Sequence, residues 1–196
     1  MARIFISYRR EDSGASAGRL HDRLREHFGR DNIFMDIDTI EPGLDFTEAI
    51  ERTVASCDVL IAIIGRQWLT STDAAGQRRL DDPEDFVRRE IATALRRNIR
   101  VIPALVQDTS MPRAANLPDD LQPLTRRNAV ELSDTHFHRD VDQLIVVLDR
   151  VLGVPPRPHH QPGRGPGKSC SRSDRHPCGL GDFGDSRVSS SLALPS

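Results

Sequence analysis

Asp58-Val59-Leu60-Ile61-Ala62-Ile63-Ile64-Gly65 is the stretch that decides the fold. Six aliphatic residues in a row, closed by an aspartate and a glycine, are too few for an ordinary helix and too uniformly apolar for a strand with one wet face. They read as a strand buried on both sides, and so as the centre of a sheet covered by helices above and below. Toward the N-terminus, Phe46, Ala49, Ile50, Thr53, Val54 and Cys57 recur at helical spacing, with Asp45 and Glu48 placed as a capping box. A polar loop carrying the Pro42-Gly43 turn signal precedes that helix, and a strand over 32–36 precedes the loop. Ala17, Leu20, Leu24 and Phe28 mark an earlier helix closed by Gly29, and residues 3–7 form the first strand.

Toward the C-terminus comes a long polar connection holding Trp68 and Ala74-Ala75-Gly76. A helix then starts with Asp82 as its cap, Pro83 in the first helical position and Asp85 adding charge at the positive dipole end. Its apolar stripe is Val87, Ile91, Ala94 and Leu95. Residues 100–106 make a fourth strand, where Pro103 argues for a place near the sheet edge. Residues 111–123 read as loop with one helical turn, and 129–132 as a short fifth strand. Phe137, Val141, Leu144, Ile145, Leu148, Val151 and Leu152 then give a last amphipathic helix. Strands alternating with helices imply parallel βαβ units with right-handed crossovers. The expected class is α/β: a three-layer, flavodoxin-like sandwich on a five-stranded parallel sheet.

With 196 residues, the chain accommodates one ordinary domain and some excess. A hydrophobic fraction of 37% beside 29% charged residues indicates a soluble globular protein. A net charge of -2 gives no argument for nucleic acid as partner. No apolar run reaches the roughly 18 residues a membrane span needs, and the N-terminus lacks the apolar core of a signal peptide. A cytoplasmic location is expected. Of the cysteines, Cys57 reads as a small buried residue. From Pro155 onward the composition changes: seven of the thirteen prolines fall there, mixed with Gly, Ser and Arg and without apolar period. The expected division is therefore a folded domain over 1–153 and a disordered tail over 154–196.

In an open parallel sheet, ligands sit beyond the carboxyl ends of the strands. Three segments land there: Ser7-Tyr8-Arg9-Arg10-Glu11-Asp12, the loop from Asp36 to Gly43, and Gly65-Arg66-Gln67-Trp68. In the first, two arginines and a tyrosine offer anion contacts and a stacking surface, as a phosphorylated nucleotide requires. A solvated turn with an arginine paired to Glu11 or Asp12 explains the same residues. Glu90 lies on the flank of its helix's apolar stripe, one turn after Phe86. It is either a snorkelling, arginine-paired glutamate or a carboxylate placed for chemistry. Other chemistries drop out. A phospho-accepting receiver needs carboxylates after the first and third strands, where this chain has Ser7-Tyr8 and Gly65. Neither GxGxxG after a strand, nor GxxxxGK[ST], nor GxSxG occurs. Ser13-Gly14-Ala15-Ser16-Ala17-Gly18 is helix-start chemistry only. His136-Phe137-His138 lacks partners at metal spacing, and Cys170, His176 and Cys178 lie in the tail, so no metal site is expected.

Phe5-Ile6-Ser7-Tyr8-Arg9-Arg10, then Phe34-Met35-Asp36 with Glu41-Pro42-Gly43, then Phe86-Val87-Arg88-Arg89-Glu90 ahead of Val101-Ile102-Pro103, resemble a TIR (Toll/interleukin-1 receptor) domain of the bacterial type. The resemblance covers roughly residues 1–152, with the boxes in order. It implies the flavodoxin-like TIR fold and self-association with other TIR domains into a homo-oligomer on activation. It also implies one of two outputs: cleavage of NAD+ to nicotinamide and ADP-ribose or a cyclic form, in bacterial signalling or defence, or a non-catalytic scaffold in signal transduction. In the family's enzymes the catalytic glutamate lies in the helix after the third strand, four residues after an aromatic. Glu90 matches it, with Phe86 where a Trp often stands. The resemblance places Ser7, Tyr8, Arg9, Arg10, Asp36, Gly43, Trp68 and Phe86 at the substrate, with NAD+ as substrate and no separate cofactor. One carboxylate suffices for this reaction. Nicotinamide leaves a cationic substrate as a neutral molecule and needs no general acid, unlike the leaving group of an ordinary glycoside.

Overall fold

In the computed structural model, residues 3–35 and 46–154 are described, the side chains of 46–49 excepted. Five parallel strands form one sheet in the order β2-β1-β3-β4-β5. The strands are β1 (Ile4–Ser7), β2 (Ile33–Met35), β3 (Val59–Ile64), β4 (Arg100–Val106) and β5 (Val130–Leu132). The helices are α1 (Arg10–Phe28), α2 (Phe46–Ala55), α3 (Phe86–Arg96) and α4 (Phe137–Leu152). As its sequence requires, β3 is the central strand, and all six of its residues are buried.

The strand period of two sorts side chains between the two faces. Ile4, Ile6, Val59, Ile61 and Ile63 pack with Ala17, Leu20 and Leu24 of α1 and Val141, Leu144 and Leu148 of α4. Phe5, Leu60, Ala62 and Ile64 pack with Ile50 and Val54 of α2 and Val87, Ile91 and Ala94 of α3. Each fully buried aliphatic residue contributes about 1.5–3 kcal/mol relative to exposure. The three-layer α/β sandwich follows from that alternation.

One local expectation holds and two are corrected. Pro103 lies near the sheet edge, as its sequence suggests: β4 is the penultimate strand, between β3 and the edge strand β5. Its partners on β5 begin only at Ala104, paired with Val130, so Pro103 stands just before the second ladder starts and its missing N–H is tolerated there. The third helix begins at Phe86, not at Pro83. Asp82 instead organises a turn, its Oδ1 accepting from the Glu84 N–H at 2.9 Å and its carbonyl from the Asp85 N–H at 3.1 Å. Asp85 is the true cap, accepting from the Arg88 N–H at 3.0 Å. The first helix begins at Arg10, so Ser13 lies inside it, at a kink with φ -130° and ψ 18°.

Gly29 closes α1 as expected, donating to the Arg25 carbonyl at φ 91°. The stretch over 111–123 and its sequel hold two short 3-10 turns, Ala114–Asn116 and Gln122–Arg126. The Asp45–Glu48 cap, the loop from Asp36 to Gly43 and the tail from residue 155 lie outside the described residues.

Candidate active site

A right-handed crossover from β3 to β4 runs α3 antiparallel to the strands, so the start of α3 stands at the carboxyl edge of the sheet. One buried ion pair fixes it there. Arg9, directly after β1, donates from Nη1 and Nη2 to Oδ2 and Oδ1 of Asp85 at 3.0 and 2.9 Å. Asp85 also meets the Arg79 Nε at 3.3 Å and caps α3 through the Arg88 N–H. The Arg9 Nε donates to the Trp68 carbonyl at 3.3 Å, bringing in the segment after β3.

Asp12 braces the same edge. Its Oδ2 accepts from the Gly65 N–H at 2.9 Å and its Oδ1 from the Gln67 N–H at 2.7 Å, while its carbonyl accepts from the Gln107 side chain at 2.9 Å. The ends of β1, β3 and β4 are thereby tied through one residue. A Cβ on Gly65 would overlap the Asp12 carboxyl group, its Cγ lying 2.7 Å away, so any side chain there must displace a carboxylate held by two backbone N–H groups. After β4, Gln107 and Asp108 adopt φ 58° and 55°, a left-handed pair of non-glycine residues that turns the chain sharply.

Glu90 is 6% exposed, within the buried face of α3. Phe86, four residues earlier, is on the same helix face and 45% exposed. That face thus descends from an open aromatic ring to an enclosed carboxylate within one turn. Ser7 ends β1 two residues after Phe5 and pairs with Ala62, so its side chain lies on the α2/α3 side of the sheet. Its hydroxyl is buried and has no hydrogen-bond partner among the described residues. An unmet buried hydroxyl costs about 1–3 kcal/mol, which a ligand contact would offset.

The other expected residues fall as follows. Tyr8 is half-buried and Arg10 is exposed in the first turn of α1. Arg9, expected as a phosphate contact, is 1% exposed and occupied with Asp85. Trp68, expected at the substrate, is 0% exposed among Leu80, Val87 and Ile91, and its indole N–H has no partner among the described residues. Asp36 and Gly43 lie outside the described residues. Sequence reasoning missed Asp85 as a partner, together with Asp12, Gln107 and Arg79. The clue to Asp85 was its place immediately before Phe86, but Asp82-Pro83 offers the stronger local start signal.

Beside the ion-pair cluster is an open cleft of about 420 Å³ lined by Glu11, Gln67, Thr70, Ser71, Thr72 and Arg79. Among the described residues no group of three His, Cys, Asp or Glu side chains could hold a metal ion. No described helix is long and apolar enough to cross a membrane. Cys57 is buried, and desolvation pushes its thiol up to about 11.

The TIR domain family matches residues 4–145. The NAD(+) hydrolase sarm1 of Drosophila melanogaster is 28% identical over 153 residues, 76% of this chain and 10% of that protein, so the chain spans about a tenth of that relative's length. Among solved structures, the TIR domains of the activated Roq1 resistosome recognising the effector XopQ match at a TM-score of 0.44 and 14% identity, over 79% of this chain and 86% of that one. The CMP N-glycosidase BcmB of Clostridium botulinum matches at a TM-score of 0.44 and 12% identity, over 74% of this chain and 98% of that one.

Proposed function

We propose that this chain, which belongs to the TIR domain family, is an NAD+ glycohydrolase with Glu90 as its catalytic carboxylate, working on self-association with other TIR domains. The observation that carries the reading is Glu90 itself: a carboxylate enclosed on α3, one turn below an exposed Phe86, at the carboxyl edge of a parallel sheet. The 28% identity to a protein named as an NAD(+) hydrolase supports it.

In this reading the bond between ribose C1′ and the nicotinamide nitrogen breaks with its electron pair passing to nicotinamide, which departs neutral. The positive charge left on the ribose is met by the Glu90 carboxylate, whose effect is enlarged by burial. Glu90 also accepts hydrogen bonds from the ribose hydroxyls, and the unmet Ser7 hydroxyl is a second contact on the same face. Phe86 stacks on the nicotinamide, while Tyr8 and Arg10 serve the nucleotide's phosphates. Water attacking C1′ gives ADP-ribose and a proton; attack by an adenine nitrogen gives a cyclic product. NAD+ is the substrate, and no separate cofactor enters.

Nicotinamide release from NAD+ by the full chain at high protein concentration tests this, beside Glu90→Ala. Release that disappears in the variant is the expected result. A second reading, a non-catalytic TIR scaffold, is favoured by one observation: Arg9 is turned inward to Asp85. No release by the wild type, even when it is driven to self-associate, would overturn the enzyme in favour of the scaffold.

A further inference from the structure

Two adjacent arginines follow β1, and their surroundings differ. Arg10 is exposed, whereas the Arg9 guanidinium is enclosed and uses Nε, Nη1 and Nη2 on the Trp68 carbonyl and on Asp85. Asp85 is just as enclosed, and its two oxygens receive Arg9, Arg79 and the first-turn N–H of α3. For Arg9 to reach a phosphate, it would have to leave a buried carboxylate behind, which is strongly disfavoured. The paired fork and carboxylate instead join two elements remote in sequence: the turn after β1 and the start of α3. Glu90 is five residues beyond Asp85, about 7.5 Å along the helix axis, so any slip of the first turn moves its carboxylate.

We infer that Arg9 and Asp85 are positioning residues that act through α3 on Glu90, and that Arg9 is not a contact for the substrate's phosphates. The inference rests on the reading of Glu90 as the acting carboxylate, and departs from the nucleotide-contact role expected for Arg9 from sequence. Arg79 extends the cluster outward, meeting Glu11 at 3.5 Å on the rim of the cleft.

The test uses the full chain with Arg9→Lys, which keeps charge but loses the fork, and Asp85→Asn, which keeps an acceptor for the helix start. Both are assayed at a temperature where circular dichroism shows them fully folded, on NAD+ and on nicotinamide riboside, which has the same glycosidic bond and no pyrophosphate. A positioning role predicts that each variant lowers kcat by about 100-fold on either substrate, since small displacements have effects of that size. KM for NAD+ should change by less than about threefold, and the double variant should be no worse than the singles within about threefold. A rise in KM confined to NAD+, with nicotinamide riboside cleaved as by the wild type, would make Arg9 a phosphate contact and overturn the inference while leaving Glu90 in place. If the wild type releases no nicotinamide, the enzyme reading fails separately, and hydrogen exchange decides the positioning claim. Arg9→Lys should speed exchange at the Arg88 and Arg89 amides at least about 10-fold, an opening of the first turn. Wild-type exchange there would overturn it.

Discussion

Two enclosed aspartates on opposite faces of the sheet are held in different ways. Asp149, in the last turns of α4, meets the ring Nε2 of His27 from α1 at 2.9 Å, and its side chain is 12% exposed. Asp85, at the start of α3, is 2% exposed and receives two arginines and a backbone N–H. The first is a clamp between helices at the rim of an apolar layer, and water remains close to it. The second is a charged junction inside the protein, where strand, loop and helix meet. Burying that much charge demands complete pairing, and a junction so demanding adds rigidity where Glu90 and Ser7 are placed. The α1/α4 face keeps the sheet covered; the α2/α3 face, at its carboxyl end, carries the buried Asp85, Glu90 and Ser7 of the candidate site.

That contrast can be broken by substitution. Asp85→Ala should have the largest effect, since it leaves Arg9 buried and unpaired and removes the α3 cap. A loss of about 3–5 kcal/mol is expected, lowering the unfolding midpoint by roughly 6–20 °C in a thermal melt. Gly65→Ala should follow at about 1–3 kcal/mol, because the new methyl group displaces the Asp12 carboxylate from two backbone N–H groups. Urea denaturation with an unchanged slope would check it. His27→Gln should cost only about 0.5–1 kcal/mol, as the pair it breaks is partly wetted. If His27→Gln matched Asp85→Ala, the proposed difference between the two faces would be gone. Arg23→Gln, which loses exposed partners in Glu26 and Asp142, should change stability by no more than about 0.5 kcal/mol.

Much of the architecture was readable because it is written in local periodicity. The aliphatic run at Val59 could only be an interior strand, and the stripes of α1 and α4 name the residues that now pack on Ile61 and its neighbours. The family signature singles out Glu90 as the candidate carboxylate, and α3 encloses it. The Arg9–Asp85 pair was not readable, because its members are 76 positions apart and nothing local to either predicts the other. Local chemistry even pointed elsewhere: Asp82-Pro83 imitates a helix start, while Asp85 provides it. Pro103 did point to a strand near the sheet edge, but why it is tolerated depends on where the neighbouring strand begins, a fact set by β5 and not by β4. Trp68 stood in a polar connection that hid its burial against α3 and Leu80.

In the proposed reaction the charge of Glu90 serves the transition state more than binding, since an uncharged acceptor in its place could keep the ribose contacts. The most direct test is the near-isosteric Glu90→Gln, measured in parallel for NAD+ affinity by calorimetry and for nicotinamide release. The account predicts that NAD+ binding stays within about threefold of wild type while release falls by at least about 100-fold, the scale of removing one preorganised electrostatic group. Release at the wild-type rate by Glu90→Gln would contradict it.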